Sequence, residues 1–280
     1  MSQIHWFPGH MKKALNEIEA KIKLVDLVIE VLDARAPISS INTDFENRFA
    51  NKKKLVILSK ADLADPIETE KWAIYYKNQG NSPLILNLTD PKAEKVISAA
   101  VLKMGEEKHK KEIAKGMKPQ PIKAMIIGVP NVGKSSLINR IAKRNAAGVQ
   151  NKPGYTRGEQ YIKVNKDFIL LDTPGVLPMN YEDKTKAINL ALLGSIRDEI
   201  LPTEQLFSSL INFLRKNYPN ALRERFGIEV IGEPHEVAIL ISQKRGLVSG
   251  GAPDLEKAYF VALKEFRDGK LGRITLEKVL

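Results

Sequence analysis

Two hydrophobic rhythms divide this chain of 280 residues. Up to about residue 175, short apolar runs alternate with segments of helical period. Leu24 to Leu32, Leu55–Leu58, Pro83–Leu86 and Ala124–Ile127 have the length and composition of strands buried on both faces. Tyr161–Val164 and Phe168–Leu171 read as a hairpin closed by Asn165-Lys166-Asp167. Between the runs, Met11–Lys23 sets Ala14, Leu15, Ile18 and Ile22 on one helical face, and further helices are expected over about Pro66–Lys77 and from about Pro91. Another follows Ile127 after a glycine loop, with Leu137, Ile138 and Ile141 on one side. Strands alternating with helices predict an α/β fold, a doubly wound and mostly parallel sheet of up to six strands.

From about Pro178 the strand rhythm largely stops. Helices are predicted over Lys184–Leu193, Thr203–Asn217, Pro219–Phe226, His235–Lys244 and Pro253–Asp268, with Gly246 and Gly269 where C-caps belong. The expected organisation is an α/β domain over residues 1–178 and a small all-α domain over 179–280. A lysine-rich stretch carrying Lys103, Lys108, Lys110, Lys111, Lys115, Lys118 and Lys123 ends in Gly116 and Pro119 and reads as a linker.

Charge and composition narrow the function. The net charge is +11, and residues 1–181 carry nearly all of it, with 29 Lys/Arg against 19 Asp/Glu. That asymmetry suits an anionic macromolecule such as RNA, or simply a solvated basic face. There is no cysteine, which removes disulfides, thiolate zinc sites and thiol catalysis together and fits a reducing cytoplasm. No run of about 18 apolar residues is present, and Met1–Trp6 lacks a secretory pattern. A cytoplasmic protein with no membrane association is therefore expected.

The chemistry concentrates in Gly128-Val129-Pro130-Asn131-Val132-Gly133-Lys134-Ser135-Ser136, set between a predicted strand and a predicted helix. This is the context a phosphate-binding loop requires. Glycines let backbone N–H groups curl around a di- or triphosphate, and the helix N-terminus adds its positive end. Lys134 can reach the β- and γ-phosphates, and the Ser135 hydroxyl is placed for Mg²⁺. Downstream, Asp172-Thr173-Pro174-Gly175 ends a strand and resembles the acidic motif that holds Mg²⁺ through water, with the Gly175 N–H facing the γ-phosphate. Upstream, Ser59-Lys60-Ala61-Asp62 resembles the Asn-Lys-x-Asp guanine-reading motif. A carboxylate such as Asp62 can accept both N–H donors of guanine's N1/N2 edge, while the Lys60 stem covers the base. Asp33-Ala34-Arg35-Ala36-Pro37 ends the first strand in a loop where polar side chains are expected to emerge, at the edge where open α/β sheets bind ligands.

The order of these motifs is the specific signal, because the guanine-type motif precedes the phosphate loop by almost seventy residues. That order resembles the circularly permuted P-loop GTPases. With Trp6-Phe7-Pro8-Gly9-His10-Met11 and Asp33-Ala34-Arg35-x-Pro37, the chain is similar to the ribosome biogenesis GTPase A (YlqF) family, up to its Gly272-Arg273-Ile274-Thr275 ending. The resemblance implies hydrolysis of GTP to GDP during late assembly of the large (50S) ribosomal subunit, with rRNA and ribosomal proteins as partners. The residues also leave open a largely non-hydrolysing, nucleotide-responsive RNA-binding module, suggested by Ser59 and Val176, and a GTPase of another RNA pathway such as tRNA modification; a monomer is expected. The resemblance also implies that Asn87 and Leu88 back the guanine, that Thr156 completes Mg²⁺ coordination and that Asn131 coordinates K⁺. Two departures stand out. Ser59 replaces the usual asparagine and is expected to weaken a tie to the phosphate loop or to guanine N7. Val176 stands where many small GTPases place a water-orienting glutamine, so slow intrinsic hydrolysis is expected, completed by K⁺, by a partner or by His10.

Overall fold

The computed structural model describes residues 16, 18–46, 48–146, 161–173, 175, 177, 183–196, 202–229 and 232–279, with side chains through Arg140 in the second half of the 48–146 stretch. His10, Thr156, Val176 and residues 11–15 and 17 of the first predicted helix lie outside them. The six strands are β1 Leu27–Asp33, β2 Lys53–Ser59, β3 Ser82–Ile85, β4 Ile122–Ile127, β5 Tyr161–Lys163 and β6 Phe168–Leu171. They form one sheet in the order β3-β2-β1-β4-β6-β5. All neighbours are parallel except β5 and β6, the predicted hairpin.

Every residue of β1 is buried, as expected of a central strand in a parallel sheet. The side chains divide by parity. Ile29, Val31, Leu55 and Ile57 join one apolar cluster, while Leu32, Val56 and Leu58 join another with Trp72 and Tyr76 of helix α1, Pro66–Asn78. Helix α1 starts where Asp65 accepts the N–H groups of Ile67 and Glu68 and Pro66 occupies the first turn. The first strand begins later than the apolar run suggests. Ile22–Leu24 is a 3₁₀ turn, and pairing starts where Asp26 donates its N–H to the carbonyl of Lys123 at 2.8 Å.

The helix expected from about Pro91 extends through much of the lysine-rich segment, and only residues 115–121 connect it to β4. Helix α2 runs without a break over Ala93–Ala114, burying Ile97, Val101 and Gly105 at a spacing of four. A Cβ on Gly105 would fall 2.4 Å from Ile122 Cδ1, so glycine is what lets the helix approach β4. Its lysines lie on the outer face, where Lys108 Nζ is 2.8 Å from Asp26, and its Glu107 lies 2.6 Å from Lys53 Nζ of β2. Helix α3, Lys134–Ala146, follows the phosphate loop and packs Leu137 and Ile138 on the same face of the sheet.

Beyond the sheet lie α4 Lys184–Leu192, α5 Thr203–Asn217, α6 Ala221–Phe226, α7 Pro234–Arg245 and α8 Leu255–Arg267, close to the predicted spans. A two-residue hairpin, β7 Val248–Ser249 with β8 Ala252–Pro253, separates α7 from α8. Gly246 (φ 64°) caps α7 and Gly269 (φ 74°) follows α8, both left-handed as the sequence suggests. One continuous apolar cluster joins sheet residues such as Ile29 and Leu170 to helical residues such as Phe207, Leu210 and Phe266. Residues 271–279 leave the helices altogether. They run back as an irregular strap over the carboxyl end of the sheet, where the Trp72 Nε1–H donates to the Glu277 carbonyl at 3.1 Å. Among the described residues no helix is long and apolar enough to cross a membrane.

Candidate functional site: the carboxyl edge of the sheet

The loops after β2, β3, β4 and β6 meet at the carboxyl ends of parallel strands. The loop from Gly128 to Gly133 connects β4 to α3. Three of its residues hold positive φ: Gly128 (153°), Asn131 (62°) and Gly133 (101°). A Cβ on Gly128 would sit 2.5 Å from the Val31 carbonyl oxygen, so this position admits no side chain. Val132 is buried and anchors the loop, whereas Asn131, Ser135 and Ser136 are exposed on its rim.

Lys134 opens α3 and is only 6% exposed. Its ammonium donates to the carbonyls of Gly128 at 2.7 Å and Val129 at 3.1 Å, bracing the loop it belongs to. Burial lowers its pKa to about 8 against the opposing pull of Asp172. Asp172, past the end of β6, is half-buried, and that burial raises its pKa while Lys134 lowers it. Next to it, the Thr173 hydroxyl donates to the Ile126 carbonyl at 2.5 Å, fixing this loop to β4. Gly175 approaches so closely that a Cβ there would lie 3.1 Å from Lys134 Nζ and 3.2 Å from Pro130. Narrow glycine approaches, a buried lysine and a helix N-terminus make a cradle that fits a polyphosphate. The Ser135 hydroxyl and the Asp172 carboxylate are hard oxygen donors of the kind Mg²⁺ takes. No cluster of three or more His, Cys, Asp or Glu side chains able to hold a metal occurs among the described residues.

The guanine-type motif is joined directly to this cradle. The fully buried Ser59 Oγ lies 2.7 Å from the Val132 carbonyl and 2.8 Å from that of Leu32, within reach of its one proton. Serine therefore keeps the tie to the phosphate loop that the sequence led us to expect it would weaken. Lys60 takes a left-handed φ of 53° and sends its ammonium to Asp33 Oδ2 at 3.0 Å. Ala61 is buried, and Asp62 stands exposed on the outside of the turn. In the loop after β3, Leu88 is buried against Gly133, where a Cβ would meet it at 3.4 Å. The Asn87 Oδ1 accepts from the N–H and hydroxyl of Thr89, closing that loop on itself.

Asp33 and Arg35 correct the sequence reading, since neither emerges toward a ligand. Both are almost fully buried. The Arg35 guanidinium grips the Asp33 carboxylate through Nε (3.0 Å) and Nη2 (2.9 Å). Although burial alone would push the Asp33 pKa up, Arg35 and Lys60 together hold it down at about 2. Arg35 Nη1 also donates to the Arg267 carbonyl, and its guanidinium lies 5.6 Å from the Phe266 ring centroid. This motif thus joins the loop after β2 to α8.

Two further contacts were not legible in the sequence. Asn131 Nδ2 donates to the Gly194 carbonyl after α4 at 2.6 Å. The strap takes up the loop after β2, with Arg273 donating to the carbonyls of Ala61 (2.7 Å) and Ala64 (2.8 Å). Several basic residues of the helical region are paired with carboxylates. Arg225 and Arg245 both pair with Glu265, at 2.8 and 2.9 Å, and Arg223 lies 3.4 Å from Glu229.

Comparison with known proteins agrees with this geometry. A family model described as "50S ribosome-binding GTPase" matches residues 123–221, the phosphate loop onward. A relative from Bacillus cereus named "Ribosome biogenesis GTPase A" is 42% identical over 98% of this chain and 93% of its own length. Two solved structures share the fold across nearly both chains. The "GDP-bound structue of TM YlqF" has a TM-score of 0.69 at 27% identity, covering 94% of this chain and 98% of its own. The GNP-bound YlqF from T. maritima has a TM-score of 0.68 at 29% identity, covering 95% and 98%. With the guanine-type loop after β2, the phosphate loop after β4 and this likeness over nearly its whole length, the chain is a circularly permuted GTPase and belongs to the ribosome biogenesis GTPase A family.

Proposed function

We propose that this GTPase acts in late assembly of the large ribosomal subunit, in the cytoplasm, using GTP occupancy to control docking on rRNA and ribosomal proteins. The observation that carries the nucleotide reading is the Ser59–Val132 hydrogen bond, which sets the guanine-type loop against the phosphate loop within 2.7 Å. In this reading Asp62 takes the N1/N2 edge of guanine, the Lys60 stem and the loop at Asn87 and Leu88 flank the base, and Ala61 supplies backbone. The N–H groups of Asn131, Val132, Gly133, Lys134, Ser135 and Ser136 wrap the phosphates, with the Lys134 ammonium between β and γ and the Gly175 N–H at the γ end.

Hydrolysis transfers the γ-phosphoryl group to water: the bond to the β–γ bridging oxygen breaks and GDP leaves with the electron pair. Ser135 and Asp172 would hold Mg²⁺, with Thr156 as a further ligand, and the ion would neutralise charge building on the phosphate oxygens. The Asn131 carbonyl oxygen is the protein donor for K⁺, and His10 orients the attacking water. Residues 1–178 then form the nucleotide domain and 179–280 the domain that meets the subunit, on a monomer. GTP turnover with and without large-subunit precursors, in K⁺ and in Na⁺ buffer, tests the assignment. Turnover should rise with the particle and with K⁺, and rates indifferent to both would contradict it.

A further inference from the structure

The Gly272-Arg273-Ile274-Thr275 ending has no part in the site as assigned so far, yet its contacts fall on the loop that presents Asp62. Arg273 Nη2 donates to the Ala61 carbonyl at 2.7 Å and its Nε donates to the Ala64 carbonyl at 2.8 Å. These carbonyls bracket Asp62 on either side. The Ile274 N–H donates to the Leu63 carbonyl at 3.1 Å, and the Asp65 N–H donates to the Thr275 hydroxyl at 3.0 Å. Tyr218 closes the far side, with its hydroxyl 3.2 Å from Asp65 Oδ2 and accepting the Thr275 N–H at 3.1 Å. Within the loop itself support is thin: a Leu63 N–H to Lys60 carbonyl turn at 2.9 Å, and a long 3.5 Å bond from the Ala61 N–H to Leu86. The loop also opens on Lys60 with φ 53°, a conformation a lysine adopts only when its surroundings impose it.

We propose that Arg273 is a positioning residue for guanine recognition, its guanidinium clamping the Ala61 and Ala64 carbonyls so that the Asp62 carboxylate faces both N–H donors of the base. The inference rests on Asp62 being the guanine reader. A planar guanidinium with charge-assisted donors suits two carbonyls three residues apart, and such bonds are stronger than neutral ones. A carboxylate free to swing still meets one donor of the base, but the paired contact with N1–H and the 2-amino group requires a fixed orientation. The strap is anchored separately where Glu277 accepts the Ile38 and Ser39 N–H groups, away from the carbonyls that flank Asp62.

Inosine diphosphate (IDP) lacks the 2-amino group and makes the test specific. Dissociation constants for GDP and IDP are measured by calorimetry on the full chain, wild type and Arg273→Ala, Arg273→Lys and Glu277→Gln, with Tm recorded for each. Wild type should prefer GDP. Arg273→Ala should weaken GDP roughly tenfold, as loss of charge-assisted hydrogen bonds to the loop allows, and leave IDP nearly unchanged, so the preference shrinks. Arg273→Lys, able to serve one carbonyl, should recover part of it and carries the test if the alanine variant does not fold. Glu277→Gln should lower Tm with the GDP/IDP ratio intact. A wild-type ratio in folded Arg273→Ala or Arg273→Lys, or an equal loss of ratio in Glu277→Gln, overturns the proposal. A wild type that binds GDP and IDP equally overturns the guanine assignment itself.

Discussion

The two ends of the proposed nucleotide site are built by opposite strategies. The phosphate end is local: Gly128, Gly133 and Lys134 lie within seven consecutive residues, and the Lys134 ammonium braces carbonyls of its own loop. The base end is borrowed. Lys60 is held through Asp33 and Arg35 to the end of α8, and the backbone from Ala61 to Asp65 is held by Arg273, Ile274 and Thr275, more than two hundred positions away. A site of this kind can change its hold on the base when the distant segment moves, while its phosphate cradle stays intact. Moving the guanine motif ahead of the phosphate loop leaves the chain after β6 free to lead into helices whose end returns to the base side.

Breaking the borrowed end should cost the fold most. Arg35→Leu leaves Asp33 buried with only Lys60 beside it and should lower unfolding free energy by about 3 kcal/mol in urea titrations, as losing one partner of a buried pair does. At the local end, Lys134→Ala should weaken GTP and GDP by at least about a hundredfold with Tm unchanged or raised, because the variant no longer buries an ammonium. Calorimetry and a thermal melt on the same sample separate the two outcomes. An equal loss of fold in both variants would erase the contrast.

Acid sharpens it further. The folded pKa of Asp33, about 2, lies below that of an unfolded aspartate near 4. Its ion pair therefore contributes fully above pH 4, and that contribution, on the order of 2 kcal/mol, is lost as pH falls toward 2. Denaturation at pH 5 and at pH 2.5 should show a smaller difference in Arg35→Leu than in wild type. The smallest effect is expected at the junction of the two ends. Ser59→Ala removes a hydrogen bond worth about 1 kcal/mol and should weaken GDP about fivefold, leaving the guanine preference in place.

How much of this was legible in the sequence follows the same division. The phosphate loop, its strand and its helix could be read because glycine spacing and apolar periodicity are local signals, and the helices after residue 183 were placed to within about two residues for the same reason. The motif that carries Asp62 could be placed because it directly follows an apolar strand, and Asp62 is exposed in the turn after β2. The Asp33–Arg35 pair was visible as residues but misread, because a charged Asp-x-Arg at a strand end looks the same whether it faces solvent or is neutralised by a partner. How far α2 reaches into the lysine-rich stretch is hidden by its charges, because the apolar spacing Ile97-Val101 continues only as Gly105, which fits against Ile122. Nothing local marks Arg273 or Thr275 as partners of the loop after β2, because a contact with a backbone carbonyl imposes no pattern on the partner's side chain.

The central claim is that these loops grip one guanine nucleotide, and competition tests it most directly. Labelled GDP bound to the full chain is titrated with unlabelled GTP and, in parallel, with ATP, in Mg²⁺ and K⁺. GTP should displace the label at near-stoichiometric concentration while ATP leaves it bound; displacement by ATP at the same concentration as GTP would contradict the account.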